Sequence, residues 1–138
     1  MPIQIIHARK KHPVPSAKIR KLIQIISKAE SKKKLGSLTI VFLGNAAMRR
    51  LNKKFLDHDY PTDVISFDLT TGRDIEGEVY IGLDKASAQA KEYAVPFGNE
   101  ILRLAAHGFL HILGYDDNTK KNRAAMLKRG DRYIAQLK

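Results

Sequence analysis

The stretch from Ile101 to Leu113, "ILRLAAHGFLHIL", constrains this chain more than any other. Every residue in it is apolar or glycine except Arg103, His107 and His111. Those three lie at i, i+4 and i+8, so on a helix they form one polar stripe on an otherwise hydrophobic cylinder. A helix apolar nearly all round belongs at the centre of a fold, with the remaining elements packed around it. Two imidazoles on such a helix need partners, because an unsatisfied buried polar group costs about 1–3 kcal/mol. His-x-x-x-His spacing brings both rings to one face, where their nitrogens can converge on a metal ion. Gly114 lets the chain turn back, so a carboxylate from the pair Asp116 and Asp117 can supply a third ligand. The alternative is two hydrogen-bonded core histidines.

The rest of the chain reads as elements able to cover that helix. "IQIIH" (3–7) alternates weakly, as an edge strand does. Ile19, Leu22, Ile23 and Ile26 recur at helical spacing between Ser16 and Ala29. "SLTIVFL" (37–43) is a buried strand by its β-branched and aromatic content. Asn45 is placed to cap a helix from Ala46 to Phe55 with Met48, Leu51 and Phe55 inward. "TDVISFDL" (62–69) and "GEVYIGL" (77–83) flank a hairpin loop. Asp84 caps a helix through Tyr93, ended by Pro96. The histidine helix starts at Gly98 or Asn99, and Asn118 or Thr119 opens a last amphipathic helix to Leu137. With no repeat or linker, the 138 residues form one domain of order β-α-β-α-β-β-α-α-α. That order predicts an α+β fold: one small mixed sheet with helices packed on it, the central helix carrying the histidines.

Charge narrows the function. Lys and Arg number 25 against 14 Asp and Glu, a net +11. An excess of this size in a small domain points to a polyanion, RNA or DNA, with a solvated basic surface as the alternative. Positives cluster at 9–11, 32–34, 49–50 and 53–54, and at Lys120, Lys121, Arg123, Lys128, Arg129 and Arg132. No run of alternating aromatics suggests a base-stacking strand, so binding leans on phosphate contacts. There are no cysteines, which excludes disulfides and thiolate ligands. The N-terminus lacks a signal-peptide core and no apolar run approaches membrane-spanning length. A cytoplasmic protein with no membrane partner is expected. For the ion, zinc comes first, since it accepts imidazole and carboxylate in tetrahedral geometry and three protein ligands leave one position open for water. Position 108 is glycine, so the glutamate base of His-Glu-x-x-His proteases is missing.

"HGFLHILGYDD" (107–117) resembles the His-Gly-x-Leu-His-x-x-Gly-Tyr-Asp-His signature of the YbeY endoribonucleases, bacterial factors of rRNA maturation. "PTDVISF" (61–67) resembles the family's Pro-Thr-Asp-Val-Leu-Ser-Phe strand, "GEVYI" (77–81) its Gly-Asp-Ile strand, and "LNKKF" (51–55) the helix end before them. The resemblance implies a single-strand-directed, metal-dependent endoribonuclease of rRNA maturation, acting at the small-subunit rRNA 3′ end and in ribosome quality control. Its partners would be rRNA and the small ribosomal subunit, with no DNA. Carried over position by position, His107 and His111 are ligands and the third family histidine falls on Asp117. A carboxylate there leaves the site less positive, the ion a weaker Lewis acid, and nickel, cobalt, iron or manganese more competitive with zinc. A second departure is Leu56, where the family often carries an arginine implicated in activity. Arg103, on the metal stripe, is expected to approach the scissile phosphate in its place or else to satisfy a buried acidic group. His58 and Asp63 are the other catalytic candidates, and Ser66 reads as ordinary strand hydrogen bonding. Asp116 would accept from a ligand imidazole or from the turn. The rival readings are a non-catalytic assembly factor with a structural metal, and a metallohydrolase of another substrate. Two histidines and a carboxylate also match non-haem iron oxygenases, though their spacing differs.

Overall fold

A computed structural model describes residues 2–7 and 13–137. The basic run at 9–11 lies outside the described residues. The elements are β1 (Ile3–His7), α1 (Ser16–Glu30), β2 (Leu35–Leu43), α2 (Asn45–Leu56), β3 (Val64–Asp68), β4 (Ile75–Gly82), α3 (Leu83–Glu92), α4 (Phe97–Ile112) and α5 (Lys120–Ile134). They form one four-stranded sheet in the order β1-β2-β4-β3, parallel throughout except for the antiparallel β3–β4 hairpin. The fold is therefore α+β with a small mixed sheet, in the order the sequence predicts.

Helix α4 is the hub, touching α1, α3, α5, β3 and β4. Ile101, Ala105, Ala106, Phe109 and Leu110 are fully buried, and so are Ile19, Leu22, Ile23 and Ile26 of α1. Its seat against the hairpin depends on Gly108. A Cβ there would lie 2.6 Å from Val79 Cγ1, 3.0 Å from Ser66 Oγ and 3.1 Å from Val64 Cγ2. The Ser66 hydroxyl crosses the same gap to donate to the Gly108 carbonyl at 2.8 Å. So the glycine that removes protease chemistry is also what lets the helix backbone lie on the sheet, and the Ser66 hydroxyl is used in that contact.

Three local expectations are corrected. The cap of α2 is Gly44, and Asn45 is the first helical residue. Its N–H is satisfied by Asp84 Oδ2 at 2.7 Å, so Asp84, in the first turn of α3, serves the neighbouring helix, and the cap position of α3 is Gly82. Phe55 is 54% exposed, not inward: its ring meets Phe67 edge-on, and the Lys54 ammonium lies over it at 5.3 Å from the ring centroid. The buried place goes to Asn52, whose side-chain amide donates to the Tyr60 carbonyl at 2.9 Å and fixes the loop before β3. Thr119 does cap α5, its hydroxyl accepting from the Asn122 N–H at 3.0 Å.

Gly108→Ala gains about 1 kcal/mol of helix propensity but meets an overpacking cost of about 1–3 kcal/mol. The clash is with a buried strand valine and not a flexible tip, so a net loss is expected, read as a lower urea midpoint at unchanged m-value.

Candidate metal centre

The site is assembled by one turn of chain. His107 and His111 project from α4 one helical turn apart, their rings edge-to-face with centroids 4.9 Å apart. Gly114, at φ +106°, reverses the chain, and the Tyr115 N–H closes the turn on the Leu110 carbonyl at 3.1 Å. The Asp116 carboxylate stays in the turn, accepting from the Asn118 N–H and the Asn122 side-chain amide. Asp117 then falls back over the helix. Its Oδ2 lies 3.0 Å from His107 Nε2 and 3.3 Å from His111 Nε2.

The three donor atoms lie within 4.8 Å of one another. With metal–ligand bonds near 2.0–2.1 Å, the edge of a tetrahedral site is about 3.3 Å, close to both histidine–aspartate separations. Burial holds His107 below the ordinary imidazole value, outweighing the opposing pull of Asp117, so the ring is neutral at pH 7 with a lone pair to give. Burial alone would raise Asp117, but the hydrogen bond from His107 and the charge of His111 together hold it below the usual carboxylate value. Neutral imidazole and ionised carboxylate are the protonation states a divalent cation requires. The donor set fits such an ion. His107 Nδ1 is buried with no hydrogen-bond partner among the described residues, so neither Asp116 nor a backbone carbonyl orients this ring from behind.

These groups line one wall of an open cleft of about 420 Å³. The cleft is also lined by β3 and the residues before it, including Thr62, Asp63 and Ser66, and by the half-exposed Leu56. Asp63 is held in place by Gln89, whose amide donates to Oδ2 at 3.1 Å. Arg103 sits on the histidine stripe but is engaged elsewhere. It pairs with buried Glu100 at 3.0 Å and with Asp131 at 3.5 Å, and its guanidinium lies over Tyr93. It lines a small cavity of about 70 Å³ that shares Asp63, His107 and Arg123 with the main cleft. His58 is exposed and stacked on Tyr60, outside the cleft lining.

Sequence reasoning missed Arg123, counting it only among the positives of the last helix. Its guanidinium donates to Asp117 Oδ2 at 3.1 Å and lies 4.0 Å from Asp63 Oδ2, the sole Lys or Arg among the described residues that line the cleft. The available signal was the capping threonine at 119. It fixes where α5 begins, and so turns the first turn of that helix back towards the loop bearing Asp117.

The loop is braced from beneath by Glu30 at the end of α1, which accepts from Tyr115 at 2.6 Å, from Arg129 at 2.9 Å and from the Tyr133 hydroxyl. Burial would raise the Glu30 carboxyl, but the hydrogen bonds from Tyr115, Tyr133 and Arg129 outweigh it and leave it below its ordinary value of 4.5. A depressed folded pKa stabilises the fold fully above the unfolded value and is lost as pH falls through the folded value. Glu30→Gln should therefore cost about 1.5–3 kcal/mol at pH 7 by urea unfolding. The difference from the parent should shrink as pH drops below 4.5.

The model of the family described as "Endoribonuclease YbeY" matches residues 4–138 of this chain. A protein of Chlorobaculum parvum called endoribonuclease YbeY is 39% identical over 138 residues, covering all of this chain and 96% of the relative. One of Chloroherpeton thalassium with the same name is 40% identical over 96% of this chain and 94% of its own length. The solution structure of TM1509 from Thermotoga maritima superimposes with a TM-score of 0.65 at 27% identity, over 98% of this chain and 88% of the other. A family match over nearly the whole chain, on a fold that closes the two signature histidines and the following aspartate around one point, places this chain in the YbeY endoribonuclease family.

Proposed function

We propose that the chain is a metal-dependent endoribonuclease that cuts single-stranded RNA. On this reading it acts in the cytoplasm on rRNA of the small ribosomal subunit, at its 3′ end, and in ribosome quality control. The observation that carries the reading is the convergence of His107, His111 and Asp117 on the wall of a cleft that also holds Arg123, in a chain of net charge +11. The relatives named above are called endoribonucleases, which supports the RNA-cutting part of the reading. Zinc is the ion assigned, one per chain, with nickel or another divalent transition metal as the competitor for a site with one oxygen ligand. When bound, the ion supplies a Lewis acid and makes water more acidic.

The protein's own groups supply the rest. His107 and Asp117 hold their donors in place, one by burial in α4 and the other by the braced turn. Arg123 presents a planar guanidinium to the cleft and is assigned to a non-bridging phosphate oxygen, countering the charge that develops there. Arg103, from the adjoining cavity, is the second cation within reach of the site, but its donors are already shared between Glu100 and Asp131. Asp63, fixed by Gln89, is placed to accept a proton from the attacking hydroxyl, whether water or the RNA 2′-hydroxyl. His58 is assigned to RNA flanking the scissile bond.

A second reading, an assembly factor with a structural metal, is favoured by Leu56, which leaves an apolar side chain at the cleft rim. The parent protein, Asp117→Ala and His111→Ala separate the two. Bound metal would be measured by mass spectrometry and cleavage with a single-stranded rRNA fragment. The nuclease reading expects about one ion per chain, lost from both variants along with cleavage. Stoichiometric metal in the parent with no cleavage above the variants' background gives the assembly reading. Arg123→Ala should keep its ion and lose about 10²–10³-fold in kcat, the range for removing one donor to a developing oxyanion.

A further inference from the structure

The lysine run at 32–34 plays no part in the mechanism above. Lys32, Lys33 and Lys34 are all exposed, as is Lys28 on the last turn of α1. A helix C-terminus carries about half a negative charge, which one lysine more than satisfies. The carboxylate nearest in sequence, Glu30, is fully used by Tyr115, Tyr133 and Arg129. Among the described residues no carboxylate pairs with these four lysines. The Ser31 hydroxyl accepts from the Lys33 N–H at 3.0 Å, which orders the loop and lowers the entropic cost of using it.

This loop is joined to the metal cleft by surface concavity. A groove of about 260 Å³ meets the cleft at Asp68 and Ile112 and runs past Gly114 to Ser31 and Lys33. A further groove of about 430 Å³ shares Ser31 and Lys33 with it and carries Lys28 and Lys34. Three hollows thus form one path, with Arg123 at one end and unpaired lysines at the other.

We infer that this path is the binding track for one arm of a single-stranded RNA whose scissile phosphate lies at His107, His111 and Asp117. The inference rests on the nuclease reading and extends it by naming where the strand leaves the cleft. Phosphates are held at the two ends, by Arg123 and by Lys28, Lys33 and Lys34. At the junction Asp68 disfavours a phosphate, so ribose and base cross there, against the Ile112 side chain and the Thr70 and Ser31 hydroxyls. A duplex is too wide and stiff for hollows of this size, whereas a single strand bends along them.

The test is binding of 2′-O-methyl RNA, which supplies no 2′-hydroxyl nucleophile, to zinc-loaded protein across a salt series. A trinucleotide fills only the cleft and a dodecanucleotide extends along the path. Lys33→Glu/Lys34→Glu should weaken dodecanucleotide binding and flatten its log K against log salt slope by about 1.4, that is about 0.7 for each of two phosphates lost. Trinucleotide binding should keep its slope. Lys18→Glu/Lys21→Glu, the same charge change on the exposed opposite half of α1, should leave the dodecanucleotide slope in place. An unchanged slope in the Lys33/Lys34 variant, or an equal loss in the Lys18/Lys21 variant, overturns the track while the nuclease reading stands. Failure of the parent to bind either RNA overturns both. Lys33→Ala/Lys34→Ala, which adds no acid, should show the same direction of change, and circular dichroism checks that each variant is folded.

Discussion

The contact between α4 and the β3–β4 hairpin at Gly108 is the constraint on which the site depends. Without a side chain at 108, the helix backbone comes within reach of Val79, Val64 and the Ser66 hydroxyl. That approach sets the helix beside β3, the strand that Asp63 leads into, so residues distant in sequence line one cleft. The same helix is buried on its remaining sides by α1, α3 and α5, which fixes its rotation as well as its position. A histidine pair on a freely rotating helix would have no defined third ligand. Here the rotation is settled by packing, and packing is the stiffest device a small protein has.

Electrostatics then does what packing cannot. Asp117 Oδ2 is approached by two imidazole nitrogens and by the Arg123 guanidinium. One carboxylate oxygen facing three nitrogens, one of them on the Arg123 guanidinium, has its negative charge already partly offset. A divalent ion there adds to that balance, and two nearby carboxylates, Asp117 and Asp63, offset it in part. A histidine in place of Asp117 would leave Arg123 without its 3.1 Å partner beside an ion of undiminished charge. Asp117 and Arg123 are thus coupled by charge, each offsetting the other at the wall of the cleft.

Much of this was legible in the sequence, for physical reasons that can be stated. The apolar run with its polar stripe could only be a central helix, and the turn glycine could only bring one of two aspartates back. The hydrophobic spacing of α1 and the hairpin pattern followed from the same burial logic. Phe55 was misplaced because helical periodicity says which face a residue shares but not how far along the helix that face is covered. Asp84 and Asn45 were each read as caps of their own helices, since capping rules are local and the bond that formed runs between elements far apart in the chain. Arg123 was hidden for the same reason. Nothing in "KKNRAAM" distinguishes it from its basic neighbours until the turn at Gly114 and the cap at Thr119 set its direction.

On the nuclease reading, Leu56 and Arg123 bear on how a phosphate would be met without an arginine at position 56. In this chain position 56 is a leucine at the end of α2, and the cation, Arg123, stands on α5 beside Asp117. On the nuclease reading, a phosphate met by Arg123 would lie beside His107, His111 and Asp117. The rim is left free to contact base or ribose through Leu56, with Tyr60 and Phe55 exposed nearby in sequence. Moving one charge across a cleft of this size changes which part of the nucleotide each wall sees, while the strand's polyanion still finds net positive charge on the molecule as a whole.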